Sequence, residues 1–294
     1  MISFKKISMI SFKITADEHG GKLGDILKNR KFSRRLVTKL KRVENGITRN
    51  GKLIRTIDSV FENDIISLAD IQGNAPKGND ALSVGILYED SDVIVFDKPS
   101  NMPVHQSINH RDDTLANFYA AKCPDMTFRP VNRLDRNTSG CVICAKNQHA
   151  AHILQRKAEK IYSGVIHTPH DPDLSGGRIC APIAREKDSI ILRCVREDGQ
   201  YSATCWHITE KTKDYALCKF ILETGRTHQI RVHMAHIGYP LIGDDMYGGD
   251  CSEVKEHMLC CCQVSFPRPS DGKLITVRSE HTFDINDIKN LGGK

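Results

Sequence analysis

Asn132-Arg133-Leu134-Asp135-Arg136-Asn137-Thr138-Ser139-Gly140 is the stretch on which the reading of this chain turns. An apolar run, Cys141 to Ala145, follows it with the composition of a buried strand, and Phe128-Arg129-Pro130-Val131 leads into it, so it reads as a loop between structured elements. The loop sets one carboxylate, Asp135, between Arg133 and Arg136. Neighbouring cations favour the charged form of an acid, and a charged carboxylate can serve as nucleophile or base. The same composition also suits a structural ion pair, and on these residues alone both readings stand.

Outward from the loop, Gln148 to Lys157 and Thr114 to Lys122 have helical character, while Ile86 to Asp90 and Val93 to Pro99 read as strands, the second stopped by its proline. The amino-terminal part differs in kind. Residues 1–55 hold 15 Lys plus Arg against 4 Asp plus Glu, a surplus of 11; because the whole chain is at +6, the remainder is at −5. A compact positive face suits nucleic-acid phosphate, although a solvated helix face has the same composition. An alternating segment, Ser11 to Ile14, precedes a helical run from Lys22 to Lys28. Ser33 then stands where a helix N-cap belongs, ahead of Arg34-Arg35-Leu36-Val37-Thr38-Lys39-Leu40-Lys41-Arg42 with its apolar residues on one face. Asn50-Gly51 between two short β-like runs signals a hairpin, and Asp64 to Leu68 reads as a closing strand. Gly, Pro, Asn and Asp then crowd an aperiodic segment, giving a small basic unit at 14–70, a linker at 71–82 and a large unit at 83–286.

A chain of 294 residues can bury two cores, and with 39% hydrophobic residues and no long apolar run it has no membrane-spanning character. The 11 cysteines, without a secretory signal, point to a reducing compartment, the cytoplasm. Cys141-Val-Ile-Cys144 has no second Cys-x-x-Cys, and His228, His233 and His236 lack the glutamate of a His-Glu-x-x-His motif, so core packing is expected rather than metal. Residues 1–5 recur as 9–13, which makes Met9 a candidate start.

Taken jointly, the segments resemble the RluA-type RNA pseudouridine synthase family. The resemblance rests on Arg133-Leu134-Asp135 with Thr138-Ser139-Gly140, on Lys160-Ile161-Tyr162, and on Thr224-Gly225-Arg226-Thr227-His228-Gln229-Ile230-Arg231 continuing to Gly243-Asp244. Weaker echoes are Asp97-Lys98-Pro99, Pro103-Val104-His105 and Ala181-Pro182-Ile183-Ala184-Arg185. The family's usual histidine before Arg-Leu-Asp is here Asn132, and its second acid is Asn137. Residues 14–70 resemble the small RNA-binding module named after the fourth small-subunit ribosomal protein, chiefly in Ser33-Arg34 and Gly46 to Gly51.

The resemblance implies an α+β pseudouridine synthase fold, a mixed and mainly antiparallel sheet with flanking helices, preceded by a small αα/β-hairpin domain. It implies isomerisation of RNA uridine to pseudouridine without metal or organic cofactor. Asp135 is then the catalytic acid, Arg231 its ion-pair partner and Tyr162 the residue that stacks on the target base. Arg133 is a candidate to hold the opened strand, Arg226, His228 and Gln229 to shape the pocket or touch phosphate, and Ser33, Arg34 and Arg35 to bind RNA in the module. Large-subunit ribosomal RNA is the expected substrate, with transfer RNA also compatible, and the expected state is a monomer. The competing reading is a non-catalytic RNA-binding or ribosome-assembly protein on the same fold.

Overall fold

The structure, a computed structural model, describes residues 8–70, 75–124, 126–168, 173–284 and 286–287. The first copy of the duplicated start, residues 1–5, lies outside them, as do residues 71–74 of the expected linker. The chain opens with strand β1 (Ser8–Lys13), helices α1 (Leu23–Asn29) and α2 (Arg34–Leu40), strands β2 (Ile47–Arg49) and β3 (Lys52–Leu53), and strand β4 (Ile65–Asp70). The strands form an antiparallel sheet in the order β1-β4-β2-β3. Ser33 caps α2, its hydroxyl accepting the Leu36 N–H at 3.2 Å. Asn50 and Gly51 both adopt positive φ, 51° and 80°, as a two-residue hairpin turn requires. Leu23, Ile26, Leu27, Leu36, Leu40 and Ile66 fill the core beneath.

The end of α1 is less usual. Lys31 N–H donates to Lys28 O and Phe32 N–H to Leu27 O, at 3.0 and 2.9 Å, so the helix closes in a Schellman turn with Lys31 at its left-handed position, φ 64°. Glycine is the common occupant there, because a Cβ is strained in that conformation.

Residues 77–79 lie against the large unit: Asn117 Nδ2 donates to Lys77 O, and Asn79 Nδ2 to Asp112 O, at 2.8 and 2.7 Å. Strands β5 (Gly85–Glu89) and β6 (Val93–Lys98), helix α3 (Leu115–Lys122), strand β7 (Ser139–Ala145), helix α4 (Gln148–Lys157) and strand β8 (Glu159–His167) follow. Next are β9 (Gly176–Cys180), β10 (Ile183–Arg185), β11 (Arg193–Val195), β12 (Ala203–Lys211) and β13 (Tyr215–Leu222). Helix α5 (Gln229–His236) and strands β14 (Leu259–Pro267) and β15 (Leu274–Arg278) complete the chain. The nine-stranded sheet runs β5-β6-β7-β14-β8-β13-β12-β9, with β15 also on β14, while β10 and β11 form a hairpin of their own. The fold is α+β, and β7 with β14 is the sheet's parallel pair.

That pair carries two local demands. Gly140 in β7 has φ 104°, and a Cβ there would come within 2.4 Å of Cys261 O, so the Thr-Ser-Gly sequence ends on a glycine because two backbones meet at it. Across β14, Ser163 pairs with Cys260 and Ile161 with Gln263, so Cys261 and Cys262 together oppose Tyr162 in a β-bulge. Cys141, Cys144 and Cys261 are fully buried in the core, free thiols packed as hydrophobes. Burial pushes the Cys144 thiol up to about 12.

The two sheets meet at a polar contact. Arg129 Nη2 lies 3.3 Å from the carboxylate of buried Asp70, which also accepts the Gln148 N–H at 3.2 Å. Beside it the Phe32 ring stacks on His149, with centroids 3.9 Å apart and planes 15° from parallel.

Candidate active site

Asp135 stands on a loop fastened at every turn. Asn132 Nδ2 donates to Cys141 O, and Asn132 Oδ1 accepts the Ile143 N–H, at 3.0 and 2.9 Å, so this asparagine ties the loop entrance to β7. Thr138 N–H donates to Asp135 O, closing a turn, and the Thr138 hydroxyl bonds His257 Nε2 at 2.8 Å. The ammonium of fully buried Lys98, at the end of β6, donates to Pro99 O at 2.7 Å and Arg136 O at 3.0 Å. Burial pushes Lys98 down to about 7, against the pull of Asp135 nearby. His257 is likewise driven down to about 3 by burial and by Arg231, and stays a neutral ring.

The carboxylate itself is a quarter exposed, and its two oxygens face different donors. Oδ2 lies 3.4 Å from Arg231 Nη1, and Oδ1 lies 3.9 Å from His228 Nε2. Arg231 is aimed by a second acid: its Nε and Nη2 both donate to Asp244, each at 2.7 Å, which leaves Nη1 for Asp135. Asp244 is fully buried and Arg231 nearly so. Burial opposes the guanidinium charge, yet the Asp244 pair prevails and raises Arg231 above its ordinary value. The Arg231 guanidinium also lies 5.0 Å from the centroid of the Tyr247 ring.

His228 occupies the left-handed N-cap of α5, φ 56°, and bonds the Tyr247 hydroxyl through Nδ1 at 2.8 Å. That hydroxyl oxygen also accepts the Arg193 N–H at 3.0 Å, which fixes Tyr247 between His228 and the β10–β11 hairpin. Burial lowers His228, with Asp135 opposing. His233 is spent elsewhere, its ring nitrogens bonded to Thr204 Oγ1 and Ala181 O at 2.9 and 3.0 Å. Among the described residues no three His, Cys, Asp or Glu side chains converge as a metal-binding group.

Tyr162 is brought to this end of the sheet but sits 7% exposed within the core, with Cys261 and Asp135 as neighbours. Burial above all pushes its phenol well up, so it remains neutral. Gln229 is buried and fully engaged, accepting from Arg226 N–H and Thr224 Oγ1 and donating to Ala203 O and Thr204 Oγ1. Arg226 precedes α5, which begins at Gln229, and donates to Tyr201 O at 3.2 Å. The flanking cations differ from expectation. Arg133 and Arg136 point to solvent, no ion pair to Asp135 is found for either among the described residues, and the cation beside the acid comes from α5. Ser33, Arg34 and Arg35 lie in the small sheet unit, Ser33 as a helix cap and the arginines exposed.

Asp244, Tyr247, His257 and Lys98 were not singled out for roles. Asp244 and Lys98 stood within quoted motifs, and a buried charge needing a partner is the signal that could have found them.

The family described as RNA pseudouridylate synthase matches residues 92–236. The uncharacterized RNA pseudouridine synthase YlyB of Bacillus subtilis is 39% identical over 71% of this chain and 73% of its own. Ribosomal large subunit pseudouridine synthase D of Pseudomonas aeruginosa is 37% identical over 57% of this chain and 54% of its own. The solved human RNA pseudouridylate synthase domain containing 1 shares the fold, with a TM-score of 0.56 at 21% identity over 73% of this chain and 96% of that one. These relatives favour the enzyme over the non-catalytic binder: the chain belongs to the RluA-type RNA pseudouridine synthases and is an isomerase of RNA uridine.

Proposed function

We propose that the chain converts specific uridines of large-subunit ribosomal RNA to pseudouridine, with Asp135 as the catalytic carboxylate, Arg231 as its partner and Tyr162 as the wall against the base. The observation that carries this reading is the Asp135–Arg231–Asp244 chain of charges, in which the buried acid fixes the arginine and the arginine presents one N–H to a partly exposed carboxylate. A carboxylate so held needs no reorganisation when charge develops on the reacting sugar or base. The C1′–N1 bond breaks while the uracil stays in the cleft, the base turns, C5 bonds to C1′, and the proton lost from C5 is balanced by one gained at N1. His228 Nε2 faces the other carboxylate oxygen at 3.9 Å. Arg133, exposed beside the acid, is suited to the strand left open when the target base swings out.

The ribosomal substrate is supported by the name of the Pseudomonas aeruginosa relative and by the basic unit at residues 14–70, whose Arg34 and Arg35 face solvent. That unit, the linker at 71–82 and the catalytic unit at 83–286 are the divisions we propose, with Ser8–Lys13 completing the small sheet. Among the described residues no helix is long and apolar enough to cross a membrane. A cytoplasmic setting agrees with the free thiols of the core, and a monomer is the state we propose. The test is tritium release from RNA labelled at uridine C5, wild type against Asp135→Ala. The variant is expected to release none above background, and undiminished release would remove Asp135 from the mechanism.

A further inference from the structure

The junction between the small unit and the large sheet holds a groove of about 350 Å³, and basic side chains line it from both sides. Arg30 and Lys31 come from the end of α1, His149, His152 and Lys157 from α4, and Arg268 from the turn after β14. Two of these charges are already matched: Arg30 by Glu18 and Arg268 by Asp271. His149 contributes packing rather than charge, since burial drives it down to about 4 and its ring stacks on Phe32. Lys31 and Lys157 are exposed, and no acidic partner is found for either among the described residues.

Lys31 makes this more than a patch of surface charge. It occupies the left-handed position of the Schellman turn, where glycine carries no steric penalty and lysine does. Packing gives no reason for the side chain, because it is exposed. Its next neighbour Phe32 is locked against His149, so the strained residue is pinned at the groove's edge. The wall opposite is equally fixed, by the buried Asp70 contacts to Arg129 and the start of α4.

We propose that this groove is a second RNA contact, a phosphate-backbone site built jointly by α1 and α4, separate from the exposed face of α2 and from the catalytic cleft. It rests on the reading of the chain as an RNA-modifying enzyme. Pro267, on the groove, lies seven residues along β14 from Cys260, which pairs with Ser139 beside the Asp135 loop. With one residue taken up by the bulge, at ~3.3 Å per residue the two sites are about 20 Å apart along the strand. Only RNA reaching that far from the target uridine engages both, so the groove would measure substrate size as well as add affinity.

The experiment compares Lys31→Gly and Lys157→Ala in the full chain. Binding is measured across a salt series to a long structured RNA and to a hairpin too short to span the two sites. Lys31→Gly is expected to raise the melting temperature, by relieving the left-handed strain, and yet to weaken binding of the long RNA several-fold. Each lost phosphate contact lowers the salt slope by about 0.9. Lys157→Ala, which leaves the turn untouched, is expected to show the same loss. On the short hairpin the loss should be at least three times smaller. Unchanged affinity and salt slope on long RNA in both variants would overturn the groove, as would equal losses on both RNAs. Inorganic phosphate at millimolar concentration should leave the difference between variants and wild type in place; its disappearance would assign the groove to small anions instead. Asp135→Ala, expected to lose tritium release while binding long RNA with the wild-type affinity and salt slope, separates failure of the catalytic reading from failure of the groove.

Discussion

Arg231 and Arg34 carry the same guanidinium, and the molecule treats the two oppositely. Arg231 is almost fully buried, with three of its nitrogens committed to two carboxylates. Arg34 stands in solvent on the first turn of α2. A charge removed from water must have a fixed partner or it destabilises the fold, and the same fixing makes it a precise orienting group. A charge left in water costs nothing to keep, is screened by salt, and can follow a flexible polyanion. The large sheet holds few charges rigidly, whereas the basic unit holds many loosely.

The sharpest way to break this contrast is at its rigid end. Asp135→Ala should lower tritium release by at least ~10²–10⁴-fold, the range for one positioned acid–base group, while long-RNA affinity at fixed salt changes little. Asp244→Ala strands the Arg231 charge and should cost about 3–5 kcal/mol in chemical denaturation. Asp244→Asn, which keeps an acceptor, should fold better yet still lose turnover, because Arg231 is no longer held. A fully active Asp244→Asn would show that Arg231 needs no aiming.

Lys98 tests the same idea through pH. Burial lowers it from 10.5 to about 7 in the folded chain, so between those values the unfolded state holds the extra proton. Its contribution therefore makes stability rise with pH across that window, and below about 7 the full cost of burying the charge is present. Lys98→Met should flatten the rise, and an unaltered pH–stability curve would contradict the burial argument.

At the loose end, replacing Arg34 and Arg35 together with alanine should leave melting unchanged and reduce the salt slope of RNA binding by up to about 2. The smallest effect belongs to Glu18. Hydrogen bonding to Arg30 lowers it to about 2 despite opposing burial, so its contribution is present above 4.5 and lost as pH falls toward 2. Because the pair is partly exposed, Glu18→Gln should cost only about 0.5–1 kcal/mol at neutral pH, with the difference vanishing in acid.

Much of this architecture was legible in the residues. The Ser33 cap, the Asn50-Gly51 hairpin and helix α4 lie where local signals put them, because each depends on neighbours in the chain. Asp135 and Arg231 required the family resemblance, being 96 positions apart. Asp244 escaped because its bond to Arg231 spans 13 residues across the end of a helix, a separation with no periodic signature. Arg133 and Arg136 misled for the converse reason: adjacency in sequence says nothing about where side chains point from a turn, and these two point outward.

The paired cysteines opposite Tyr162 have a consequence for how this strand tolerates change. Cys260 and Gln263 both face residues of β8 that are two apart, although they are themselves three apart, so the bulge inverts the strand's odd–even alternation. Beyond it, Val264 and Phe266 are buried while Gln263, Ser265 and Pro267 are not. Deleting Cys262 would make the ladder regular and leave Val264 opposite Lys160, on the same face as Tyr162. The bulge is therefore where β14 can absorb a one-residue change, whereas the same change between Val264 and Phe266 would turn Phe266 to the opposite face.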